Sequence, residues 1–323
     1  MMRRMRAGGA PGPGRRALLA GVLTSPVLLA GCGIRLEEDA PPVPLVPTRE
    51  PLPGEDALTA LTRACAELAD RAEAVPGADA GALVPVHRRQ HTVLRTTLVR
   101  LGVPVEVVDG APSPAAVTPS PSASPSAGAT PGAKAARTAL GEVEGDAALG
   151  VRGFTDIAEE LGDTVLSLHA QRFAAAVLLT GSGPDVTGGP VTSGIVGQLA
   201  GRTEGARYFL QVVAARSSGR ARTRATTTLS ALDQILSEQV SEGSAPPGSL
   251  GVPLPFEVET AADATRLARR ALGELRGAYG PRLGALREEH GADGWAATTR
   301  WLGAVEAECH RWGLTLQPFP GLT

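Results

Sequence analysis

The sequence predicts an all-α chain, and three observations lead there. Apolar residues recur three and four positions apart through most of the chain after residue 55. Aromatic residues make up 3% while hydrophobic residues make up 43%, so the core must be built from Ala, Leu and Val, as in helix bundles. No segment shows the period-two alternation of a half-buried strand. At 323 residues the chain is long enough for one large domain or two ordinary ones.

Before the helices comes an export segment, residues 1–31. Arg3, Arg4, Arg6, Arg15 and Arg16 form a basic stretch without an acid, and Ala17 to Ala30 is apolar but broken by Gly21, Thr24, Ser25 and Pro26. A run this short falls below the roughly 20 residues of a spanning helix and reads as a cleaved signal peptide. Leu29-Ala30-Gly31-Cys32 closes it and resembles the bacterial lipobox. That resemblance implies that Cys32 receives a diacylglyceryl (palmitate-type) group and becomes the first residue of the mature chain. Arg15-Arg16 is similar to a twin-arginine signal. Two arginines are equally ordinary signal-peptide charge, so both export routes stay open.

Losing those five arginines leaves 26 basic residues against 33 acidic, a formal charge of −7. A weakly acidic surface argues against nucleic acid and against an electrostatic grip on anionic lipid. The expected membrane contact is the lipid on Cys32 alone.

Two segments lack core-forming composition. Residues 32–55 form a Pro-rich tether, with Pro41, Pro42, Pro44, Pro47, Pro51 and Pro53. Residues 109–133 form an insert rich in Pro, Ser and Thr, which buries too little apolar surface to fold. Its sequence would also suit O-glycosylation; a bare loop is the plainer reading.

The helices follow in two sets, expected as bundle-like regions at 56–181 and 192–313, with a tail at 314–323. In the first set, Leu58, Leu61, Cys65, Leu68, Ala72 and Val75 share a face, and a second helix spans about 84–101. Leu140, Val143, Ala147, Val151, Phe154, Ile157 and Leu161 predict a third helix, and Val165 to Leu178 a fourth after a break at Gly162. The Gly181 to Pro190 stretch predicts a loop. In the second set, helices are expected over about 192–217, around Leu229 to Val240, from Thr260 and through Trp295 to Trp312. Thr260 and Asp263 fit a capping box, and Pro281 should kink the helix they open.

Residues 194–313 resemble an exported ferritin-like domain of uncharacterised function found in lipoproteins of high-GC Gram-positive bacteria. The residues that carry this are Glu204-x-x-x-Tyr208, Val252-Pro-Leu-Pro-Phe256, Thr260 to Ala268, Tyr279 and the Trp-containing last helix. The resemblance implies a ferritin-like four-helix bundle in the C-terminal half. It also raises a di-iron centre, whose ligands are a Glu from each of two helices and Glu-x-x-His from the other two. The residues three before His87, His91, His169, His290 and His310 are Val84, Arg88, Leu166, Arg287 and Ala307, so that pattern is absent. Glu204 is followed by Gly205 where the family carries a Glu-His pair. The likeness therefore implies the shape without the ferroxidase chemistry.

Other chemistry is sparse. His87 and His91 have the spacing of a metalloprotease pair, but the residues between them, Arg88, Arg89 and Gln90, lack the general-base Glu, and two arginines disfavour a dication, which favours a solvated basic face. Glu306 and His310, with Glu308 nearby, either hold one metal or form an i,i+4 pair on the wet side of the helix, the second reading being preferred. Cys65 and Cys309 are the only cysteines after Cys32. They either form a disulfide clasping the first helix to the last or remain two buried thiols.

The functional expectation is a membrane-anchored lipoprotein on the extracytoplasmic face. It has no favoured cofactor, and its non-catalytic body binds an envelope protein or ligand. The alternative is a metal-handling or oxidoreductase-type protein holding iron, manganese or zinc through Glu204, Glu274, Glu306, Glu308 and His310.

Overall fold

The computed structural model describes residues 49–110, 132–240 and 253–322. The signal peptide, Cys32, nearly all of the tether and most of the 109–133 insert lie outside the described residues. The described residues are all-helical, without strands, and no helix among them is long and apolar enough to cross a membrane. The described residues from 50 onward form one compact unit, so the 56–181 and 192–313 segments share a common core.

The order is α1 (Glu55–Ala74), α2 (Ala78–Arg100), short α3 (Val105–Asp109), α4 (Ala133–Leu149), α5 (Glu159–Thr180), α6 (Gly194–Ala215), α7 (Gly219–Gln239), α8 (Ala261–Tyr279) and α9 (Leu283–Arg311). Leu58, Leu61, Cys65, Leu68 and Ala72 on α1 all point inward. The capping box forms as expected: Asp263 N donates to Thr260 Oγ1 (3.1 Å), and Thr260 N donates back to Asp263 Oδ2 (3.1 Å).

The most extensive helix contact joins the two halves, α5 against α9. On α5, 16 of 22 residues are buried, which makes it the central helix. Close approach is possible because Gly303 has no side chain: a Cβ there would meet Ala170 O at 2.7 Å. Around this axis α1 packs on α2 and α4 on α5, while α6 packs on α7 and α8, and α9 on α8 and α7. Trp295, Trp301 and Tyr279, the large aromatics of the core, are fully enclosed.

Two expectations change. The break falls not at Gly162 but at a 3-10 turn, Gly150–Phe154, and the residues after it. That segment is pinned to the start of the body, where Ala158 N donates to Pro53 O (3.0 Å). Gly162 lies inside α5 and makes room for Arg287, whose Cζ would stand 2.5 Å from an added Cβ. Pro281 ends α8 in a 3-10 turn, Gly280–Arg282, and a true kink sits at Gly291 (φ 51°).

The described part of the tail is tied down. Residues 314–322 run as a strap across both halves: Gln90 Nε2 donates to Pro318 O (2.8 Å) and Ser167 Oγ to Pro320 O (2.7 Å). Arg276 Nη1 donates to Thr315 O (3.2 Å), and Gln317 N donates to Glu306 Oε1 (2.6 Å).

Candidate functional site

An open cleft of about 720 Å³ lies between the 181–188 loop, α7 and α9, against the end of α5. Its loop wall is Gly-rich because the backbone runs against side chains: a Cβ on Gly183 would sit 2.4 Å from the Phe173 ring, and one on Gly188 2.9 Å from Ala296 Cβ. Arg300 ties this wall to α9 by donating from Nη1 to Val186 O (2.7 Å).

Glu238 of α7 lies in the cleft wall. Its Oε2 accepts from Arg300 Nε (3.1 Å) and Nη2 (2.9 Å) and from Trp301 Nε1 (2.8 Å). Farther along, Glu308 accepts from Thr228 Oγ1 (2.7 Å) and Arg311 Nη1, and Thr228 in turn accepts from Trp312 Nε1 (2.9 Å). Both carboxylates accept hydrogen bonds from guanidinium, indole or hydroxyl donors and so brace the walls. Chemically the cleft offers Phe173, Val177 and Ile235 as apolar contacts beside fixed charges. This combination suits holding a ligand.

A second polar cluster is sealed inside the first half. His87 Nε2 lies 2.7 Å from Glu144 Oε1, and Arg172 Nη1 4.0 Å from Glu144 Oε2, with all three side chains wholly enclosed. Gln90 Oε1 accepts from His87 Nδ1 (3.0 Å), and Gln90 Nε2 donates to Gln171 Oε1 (3.0 Å). Arg172 Nη2 donates to Cys65 Sγ (3.3 Å). Without access to solvent this network acts on the packing of α1, α2, α4 and α5. His87 therefore does not belong to a solvated basic face; its position on α2 turns it inward toward Glu144.

The candidate metal ligands do not meet in one place. Glu204 pairs with Arg207 Nη1 (3.1 Å) and Glu274 with Arg270 Nε (2.8 Å), both on the surface. Glu306 is neither on the wet face nor beside His310 as a chelate: it is fully buried and accepts from Arg276 Nη1 (2.9 Å). Burial raises its pKa, against the opposing pull of Arg276. His310 instead faces Asp79 of α2 at 3.4 Å. Among the described residues no three His, Cys, Asp or Glu side chains gather as a metal site.

Cys65 and Cys309 are both buried and free in the structure, the second of the two alternatives left open by the sequence. The Cys65 sulfur is engaged by Arg172 of α5, and burial raises both thiol pKa values. Sequence reasoning missed Glu238, Arg300, Trp301, Thr228 and Arg311. The loop glycines were visible in sequence, but nothing local linked them to α9. No family model, curated protein or solved structure matches the chain.

Proposed function

We propose that this protein is a lipid-anchored, non-catalytic binding module of the cell envelope, held on the extracytoplasmic face of the membrane through Cys32. The anchor rests on Leu29-Ala30-Gly31-Cys32 at the end of a short apolar run behind five arginines. The mutual packing of α6, α7, α8 and α9 supports a ferritin-like shape for the C-terminal half. One observation carries the binding reading: the cleft of about 720 Å³ whose charged wall residues are already braced by protein donors. Its residues hold position, and the five proposed metal ligands are scattered among arginine and aspartate partners instead of facing a common point.

Two measurements test this reading. Cys32→Ser should release the protein from the membrane fraction or leave its precursor unprocessed; a mature, membrane-retained variant would overturn the anchor. Elemental analysis of the purified chain should find no stoichiometric metal. Iron, manganese or zinc at one or two per chain would turn the reading toward metal handling.

A further inference from the structure

Beside the cleft, the corner between α6 and α7 gathers positive charge. Arg216, Arg220, Arg222 and Arg224 fall within nine residues that contain no acid, and all four are exposed. Elsewhere arginines are mostly matched, as in Arg207 with Asp233, Arg95 with Asp109 and Arg300 with Glu238. Among the described residues, no carboxylate lies within ion-pair distance of Arg220, Arg222 or Arg224. The mature chain is acidic overall, so this basic charge is segregated and not part of a general excess.

Two of these arginines line a shallow cavity of about 420 Å³, together with Arg311, Thr223, Thr227 and Glu308. Arg220 and Arg224 are one helical turn apart, a spacing at which like charges repel. The N-terminal end of α7 adds partial charge of the same sign. Arg224 is held over the Trp312 ring, 5.4 Å from its centroid, and Trp312 is itself fixed through Thr228. Glu308 is the one carboxylate in the cavity, and it is engaged by Arg311 and Thr228. Thr223 and Thr227 donate their hydroxyl protons to helix carbonyls, so the donors left for a ligand are guanidinium groups. Two forks on one wall with no anion between them match a tetrahedral oxyanion, which guanidinium binds by paired N–H···O bonds.

We propose that the Arg220–Arg224–Arg311 cavity is a binding site for a phosphate group. The cavity shares Glu308 and Arg311 with the larger cleft, so a molecule whose phosphate sits at the arginines can extend toward Trp301. The inference deepens the binding reading but is independent of the anchor at Cys32. Lipid head groups and soluble phosphate esters share this chemistry.

The test uses the full chain carrying Cys32→Ser, so that no lipid confounds it. Inorganic phosphate is titrated against tryptophan fluorescence, and flotation is measured with phosphatidylcholine vesicles with and without phosphatidylglycerol. Arg220→Ala with Arg224→Ala should raise the half-saturating phosphate concentration tenfold or more. Arg222→Ala, outside the cavity, should change it less than twofold. Flotation only with phosphatidylglycerol, lost in the double variant, would identify the source as lipid; saturable phosphate binding without flotation would identify a soluble ester. The proposal is overturned if neither binding is seen, or if Arg222→Ala weakens binding as much as the double variant does. Unchanged melting of the variants keeps misfolding out of the comparison.

Discussion

His87 Nε2 stands 2.7 Å from Glu144 Oε1 in a region where neither side chain exposes any surface. Arg172 reaches the same carboxylate from α5. Removing the acid would leave an enclosed guanidinium with only the Cys65 sulfur as a partner, a change that typically destabilises by about 3–5 kcal/mol. Glu144→Ala should therefore lower the thermal midpoint by roughly 10 °C, at the 2–4 °C per kcal/mol expected for a body of this size. Circular dichroism melting checks it; a loss under about 1 kcal/mol would show that α2, α4 and α5 do not depend on the network.

The strap at 314–322 makes a second prediction. Ending the chain at Gly313 leaves Gln90, Ser167, Arg276 and Glu306 without carbonyl or amide partners that they now hold. It also removes Leu316, a 5% exposed member of the apolar cluster of Leu68, Leu83 and Leu140. Each buried group left unpaired costs about 1–3 kcal/mol. The truncated chain should unfold several kcal/mol more easily in urea, with a single transition, because the strap touches both halves. A change confined to the last turn of α9, with stability intact, would contradict this.

Helix positions were legible where the information is local. The face of Leu58, Leu61, Cys65, Leu68 and Ala72 follows from 3.6-residue periodicity, and the Thr260–Asp263 cap lies within one turn. Buried polar residues were not legible, because their partners are far away in the chain. Gln90 meets Gln171 across 81 positions, Arg276 meets Glu306 across 30, and Glu238 meets Trp301 across 63. On α9, the same helical spacing would place Glu306 in water or in a core; only Arg276 and the strap decide between them. The Gly162 break failed for a related reason, since the glycine there serves Arg287 from another helix and not a turn.

Acid should weaken the body in a way traceable to His169. Burial, with the Arg172 charge second, pushes the pKa of this ring from 6.5 down to about 3. Below pH 6.5 the unfolded chain takes up a proton here that the folded chain refuses until about pH 3. This contribution to stability is complete above 6.5 and is lost progressively toward 3, on the order of a few kcal/mol in all. Glu306, whose pKa burial raises, works with the opposite sign, so the informative quantity is the difference between variants. The neutral His169→Gln should flatten the slope of unfolding free energy against pH between 6.5 and 4, by one proton's worth. An unchanged slope would mean that the ring is protonated inside the fold.

The two body thiols should resist alkylation in the folded chain and react only on unfolding. Both are buried, and burial holds each thiol pKa above its ordinary value, so little thiolate is present for attack. Mass spectrometry after iodoacetamide should show no label on Cys65 or Cys309 under native conditions. Both should be labelled in denaturant without any reductant. A chain that labels at neither position until reduced would restore the bridge between α1 and α9. Cys32 is read in the same spectrum: an acylated thioether takes no label, whereas a third label would show a free sulfur there and sink the proposed anchor. The measurement therefore separates the packing of the body from the chemistry that attaches it.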